Sequence, residues 1–246
     1  MTKTVYTATK MVQTHTWVAH LLNPVQRYNG LMLKHLREPI NAITHWLGAG
    51  KAVILTVLLC IFAYRGGVHW WPFLIFGVSM FLLYLASASY HSFFVKDKVL
   101  LWLRKLDHSA IFLLIAGSYT PIAMLALPDK WRLWTMVIVW GVALAGVILK
   151  LVTMKLPRWI STVLYLAMGW MSVVLMPQLI AHFSWTPMVW MCIGGLFYSI
   201  GAVIYATKKL NPIPGVFGFH EIWHLFVLGG TASHAVTMFY LTSRVA

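Results

Sequence analysis

His220 and His224 stand four residues apart, a spacing that sets both imidazoles on one helical face with Cβ atoms about 5 to 6 Å from each other. His91 and Asp107 are distant in sequence, yet each falls at the same end of a long apolar run. Three imidazoles with a carboxylate beside them are the donor set of a catalytic metal. The rings fill three places of a tetrahedral shell, water takes the fourth, and the carboxylate holds that water or takes its proton. Zinc suits such a set and lowers the pKa of its bound water to about 7, which makes a hydroxide nucleophile available next to lipid. Ser87, one helical turn before His91, reaches the same level, and so do Glu38, Asn41 and His45. One histidine at a helix end needs no explanation beyond solvation. A four-residue His pair, a third His and an acid at one depth do need one.

The elements that must position these groups follow from composition. The 246 residues are 60% hydrophobic and 10% charged, with mean hydropathy +0.77, whereas about a quarter of a soluble domain is charged. Runs of roughly 20 apolar residues, enough to cross about 30 Å of hydrocarbon as helix, occupy 41–64, 70–91, 108–127, 131–152, 159–181, 185–206 and 218–242. Lipid offers no partner to a backbone N–H or C=O, so the spans must be helices, and the uniform runs lack the alternation of barrel strands. The expected fold class is an all-α membrane protein, a seven-transmembrane helix bundle over 38–246 preceded by a cytoplasmic segment, 1–37. That segment lacks the apolar core and cleavage site of a signal peptide. Met11, Val18, Leu22 and Val25 share a helical face, so it suits an interfacial helix as well as a disordered stretch.

A net charge of +14 invites a nucleic-acid reading, but its distribution argues for topology. Lys3, Lys10, Arg27, Lys34 and Arg37 precede span one, and Lys96, Lys98, Arg104 and Lys105 separate spans two and three. Lys150, Lys155 and Arg158, then Lys208 and Lys209, fill the later loops of that same side. The other side has Arg65, Lys130, Arg132 and Arg244, so the positive-inside rule places the N-terminus in the cytoplasm and the C-terminus outside. The expected partners are membrane lipids, with no nucleic acid. Trp70, Trp131 and Trp185 near the outer ends and Trp46, Trp102 and Trp159 near the inner ones read as interfacial aromatics. Cys60 and Cys192 lie far apart in apolar runs and suggest neither a disulfide framework nor a thiolate site.

In combination, Glu38-x2-Asn41-x3-His45-x2-Gly48, Ser87-x3-His91, Leu106-Asp107-His108-Ser109-Ala110-Ile111, Gly117-Ser118-Tyr119-Thr120-Pro121 and His220-x3-His224 resemble the bacterial hemolysin III family. That family sits in the progestin and adiponectin receptor superfamily, itself related to alkaline ceramidases. The resemblance covers about residues 38–242. It implies seven helices, a cytoplasmic N-terminus, zinc held by His91, His220 and His224, Asp107 against the zinc-bound water, and Ser87 beside the site. It also implies lipid amide hydrolysis or control of membrane lipid composition, and the hemolysin name carries cytolysis.

His220-Glu221-Ile222-Trp223-His224 matches H-E-x-x-H, in which Glu is the general base of a metalloprotease. Ser87, His91 and Asp107 complete a site without it, and Glu221 suits the positive end of a helix dipole. Eleven histidines also admit a bis-His haem, for which His45 or His108 would supply one ligand, though zinc leaves none needed. His234 lies fourteen residues past His220, about 21 Å along a helix, too far to share its metal. The expected chemistry is hydrolysis of a lipid amide or ester, or another fatty-acid-containing substrate, with Asp107 as general base and Ser87 donating a hydrogen bond to ligand or oxyanion. Glu38, Asn41 and His45 stand behind the ligands. The competing classes are a zinc-braced lipid sensor without turnover and a cytolysin.

Overall fold

The computed structural model describes residues 35–182 and 184–243, so the expectation of an interfacial helix over 1–37 falls almost wholly outside the described residues. Among the described residues eight helices follow one another: α1 (Pro39–Arg65), α2 (Trp71–Ser92), α3 (Asp97–Ala126), α4 (Asp129–Val152), α5 (Arg158–Trp170), α6 (Ser172–His182), α7 (Trp185–Thr207) and α8 (Phe219–Leu241). Their starts are written locally. Pro39 and Pro72 sit in the first turns of α1 and α2, where a missing N–H costs nothing, and Asp97 and Asp129 begin α3 and α4, where the dipole favours an anion.

Six stretches are long and apolar enough to cross a membrane: α1, α2, α3, α4, the α5–α6 pair taken through Ala181, and α7. The α8 helix has 23 residues, a sufficient length, but its histidines, Glu221 and the small polar run Gly229–Ser233 make it less apolar. The fifth apolar run carries one non-helical turn residue. It divides at Met171, between Gly169 and Pro177, the two poorest helix formers within it. The third helix starts at Asp97, so Asp107 and His108 lie nearly three turns inside α3 rather than at its beginning. Lys and Arg are good helix formers whose stems lie along apolar surface, which carries the helix past the edge of the apolar run.

The packing order is α1 on α2, α2 on α3 and α3 on α4, with α7 on α8 and α8 returning to α1 and α3. Leu47, Ile54, Leu133, Leu144, Val152 and Val174 are more than half exposed, whereas Asn41, His45, Ser87, His91, Lys150, His224 and Thr231 are buried. An apolar perimeter around a partly polar interior is what lipid as solvent selects. The α3 helix passes through Pro121; near it the Ser118 and Thr120 hydroxyls donate back to Leu114 O and Ala116 O, and Tyr119 shares its O–H between the Met168 and Gly169 carbonyls.

Candidate metal centre

The polypeptide sets His91 in place before any metal enters. The strand of chain leading into α1 lies against the end of α2, with Arg37 N donating to Ser92 O at 3.2 Å and Glu38 N to His91 O at 2.9 Å. That pairing brings Glu38 Oε2 to 2.6 Å from His91 Nδ1. Arg37 steadies the carboxylate at 2.9 Å and lies 4.5 Å from the Tyr90 ring centroid. Burial works to raise the Glu38 carboxyl, but the hydrogen bond and charge of His91, together with Arg37, outweigh it and hold the group well below the usual carboxylate range. Glu38 therefore accepts from Nδ1–H and leaves His91 Nε2 as the free donor atom, the usual arrangement behind a metal-bound imidazole.

On α8 the loop before the helix sets the other two rings. Gly218 begins the helix with Asn211 Oδ1 close by, which accepts from Phe219 N at 3.1 Å; an added Cβ at 218 would come within 2.5 Å of that oxygen and push the Asn211 side chain aside. Glu221 Oε2 accepts from Gly218 N at 2.8 Å, and its Oε1 accepts from Asn41 Nδ2 at 2.9 Å. The same Asn41 amide lies 3.2 Å from Glu38 Oε2. One α1 side chain thus links the carboxylate behind His91 with the carboxylate that caps α8. Glu221 is engaged away from the histidine rings, as expected of a helix-start residue.

The three rings then meet. Centroids of His91 and His220 are 5.0 Å apart, of His91 and His224 4.8 Å, and of His220 and His224 5.0 Å. Three imidazoles aimed at one zinc with bonds of 2.0–2.1 Å place their centroids about 5 Å apart, so the triangle has the size the metal requires. One nitrogen from each ring falls within 4.8 Å of the others. His91 Nε2 is buried without a hydrogen-bond partner, a costly arrangement that a cation would relieve. His45 stacks on His224 at 3.7 Å and adds no ligand to the group. By donor type, geometry and that orphaned nitrogen the residues fit zinc.

His220, His224, Glu38 and His45 line a cavity of about 620 Å³ together with Ser87, Asp107 and His108, while His91 is fully buried behind them. Ser87 is close enough for its hydroxyl to bond to the Asp107 carboxylate, and His91 is within electrostatic range of that carboxylate. Ser87, Asp107, His220 and His224 thus line one cavity, with Glu38 and His45 on its wall and Asn41 bonded to Glu38 behind it. Ser87 faces Asp107. His234 stays apart from the triangle, packed edge-on against Tyr198 at 5.4 Å and filling the space over Gly194. Sequence reasoning missed Arg104, Lys150, Arg158 and Lys208 as cavity residues, and Lys51 as a member of an interior cluster. A lone lysine inside an apolar run was the available signal for Lys51.

A family model described as Haemolysin-III related matches residues 33–235. The chain is 41% identical over 198 residues to the protein named Hemolysin-3 homolog of Bacillus subtilis (strain 168), covering 80% of this chain and 90% of that one. It is 39% identical over 206 residues to Hemolysin-3 of Bacillus cereus, covering 82% and 90%. It is also 29% identical over 235 residues to Heptahelical transmembrane protein 1 of Arabidopsis thaliana, covering 84% and 70%.

Proposed function

The chain belongs to the haemolysin-III-related family, and from that premise we propose that it is a seven-span zinc hydrolase of membrane lipid amides. The reading rests above all on the near-equilateral triangle of imidazoles at the wall of a cavity that also holds Asp107. The α8 helix is the seventh span, in keeping with its 23 residues and with the name of the Arabidopsis relative. The lysine- and arginine-rich end, which is also the histidine end, faces the cytoplasm.

When bound, zinc supplies a Lewis acid for the substrate carbonyl and lowers the pKa of water to about 7. His91, held by Glu38, and the His220–His224 pair carry the ion. Asp107 takes the proton from the attacking water and returns it to the departing nitrogen, so a C–O bond forms, the C–N bond breaks, and a fatty acid and an amine leave. Ser87 donates to Asp107 and orients the carboxylate.

The test is zinc content of detergent-purified protein by mass spectrometry, with ceramide-like amides incubated and the released fatty acid quantified. About one zinc per chain with fatty acid release is the expected result. One zinc without release from any amide or ester would favour the zinc-braced lipid sensor, and dye release from vesicles at matched protein levels would favour the cytolysin that the Bacillus cereus name suggests. Glu221→Gln should leave lipid turnover in place, since its carboxylate serves Gly218 and Asn41; abolished turnover there with activity kept in Asp107→Asn would turn the assignment toward a protease.

A further inference from the structure

Arg104 of α3, Lys150 of α4, Arg158 of α5 and Lys208 after α7 line the same cavity as the histidines. Topology accounts for cations at this end of the bundle, but not for one buried in the cavity wall: Arg104 and Lys208 border the cavity from exposed positions, Arg158 from a half-buried one and Lys150 from a buried one. Lys98 and Lys155 at the same end are exposed and do not line the cavity. Lys150 is only 2% exposed, and its ammonium donates to the Ser161 hydroxyl and lies 5.9 Å from the Tyr165 ring centroid. Arg158 donates to Tyr205 O at 3.3 Å and stacks over the Tyr205 ring at 4.5 Å. Among the described residues none of the four stands in an ion pair with a carboxylate. Glu38 is held by Arg37 and His91, and Asp107 is within electrostatic reach of Arg104 without pairing to it.

Bringing Lys150 and Arg158 from two helices into a region of reduced dielectric, with Arg104 and Lys208 at its edge, costs free energy, and an ammonium buried without a counter-ion adds to that cost. A ligand bearing negative charge removes both. A phosphate group suits the donors better than a carboxylate, because its several oxygens meet an arginine fork and an ammonium at once. Beyond the cations the cavity wall turns apolar, with Ile111, Leu114, Ile115 and Leu166 offering a bed for an acyl chain.

We propose that Arg104, Lys150, Arg158 and Lys208 form a phosphate subsite, so that the lipids taken up beside the histidine triangle are phosphate-bearing ones. The proposal rests on the hydrolase reading only for what happens to the lipid after it binds.

The experiment uses full-length protein in uncharged detergent, titrated with dioctanoyl phosphatidic acid, with neutral dioctanoylglycerol and with inorganic phosphate, and followed by tryptophan fluorescence. Phosphatidic acid should bind at least about tenfold more tightly than the neutral lipid, the contrast expected of charge-assisted hydrogen bonds. Lys150→Gln and, independently, Arg104→Gln should each lose about tenfold, while Lys98→Gln binds as wild type does. Competition by inorganic phosphate at equal concentration identifies free phosphate as the source of the anion, and lack of competition identifies the lipid head; either result supports the subsite. Equal affinity for the neutral lipid, or an equal loss in Lys98→Gln, overturns it. Zinc content and amide turnover measured on the same preparations test the hydrolase reading separately, since lipid binding is read without either.

Discussion

The helices α1, α2 and α8 meet in two polar clusters, and the two are built in opposite ways. The deeper one joins Lys51, Tyr84 and Thr231. Lys51 Nζ donates to Thr231 Oγ1 at 2.8 Å and to Leu228 O at 3.1 Å, and the Tyr84 and Thr231 hydroxyls are 2.5 Å apart. None of these three side chains has an orphaned buried atom, and none lines the large cavity. The other cluster joins Asn41, His45, His91, His220 and His224 and leaves His91 Nε2 and Asn41 Oδ1 unpartnered. Helices that satisfy every group in one cluster do not leave groups unsatisfied in the next through lack of partners. A closed network rigidifies a bundle, whereas an open one in a low-dielectric interior is costly unless something binds there.

The sharpest way to break this contrast is to delete the open cluster. His91→Ala, and separately the His220→Ala, His224→Ala double variant, should reduce zinc from about one per chain to background in protein that still elutes as a folded species; full retention would remove the residue from the ligand set. Next in size, Asp107→Asn should keep zinc and slow amide hydrolysis by about 10² to 10⁴, the range for a lost general base, and unchanged turnover would withdraw its role. Glu38→Gln should weaken zinc affinity by about 10- to 100-fold in chelator competition, because the imidazole loses the carboxylate that fixes its ring. Smallest is Lys51→Met in the closed cluster. It should cost about 1 to 3 kcal/mol of stability, read as a lower thermal midpoint, and leave zinc content untouched. Zinc lost with Lys51 would mean that the two clusters are one.

Much of the open cluster was legible in sequence because its chemistry is concentrated. A four-residue His spacing fixes a helical face, and an acid or third histidine at the edge of an apolar run is conspicuous. The apolar runs likewise marked where the helices lie. Asn41 was legible as a neighbour, but its joint hold on Glu38 and Glu221 depends on a side-chain amide meeting groups 3 and 180 residues away, which no spacing rule encodes. The break at Met171 was hidden because hydropathy averages over Gly169 and Pro177. The cavity cations were hidden for a related reason: Lys98 and Lys150 look alike in a charge count, and only the packing of α3, α4 and α5 turns one outward and the other into the cavity.

The Asn41 amide has a thermodynamic corollary. Its two contacts connect the orientation of an α2 imidazole with the capping of α8, so the energy of one is conditional on the state of the other. Linkage is reciprocal. An ion that draws His91 and Glu38 into a fixed geometry firms the first turn of α8, and a helix start already firm raises the affinity for the ion. The loop from Lys208 to Gly218 hangs from that turn and carries one of the cavity cations, so on the proposed reading metal occupancy would be felt at the lysine- and arginine-rich rim of the bundle as well as at the histidines.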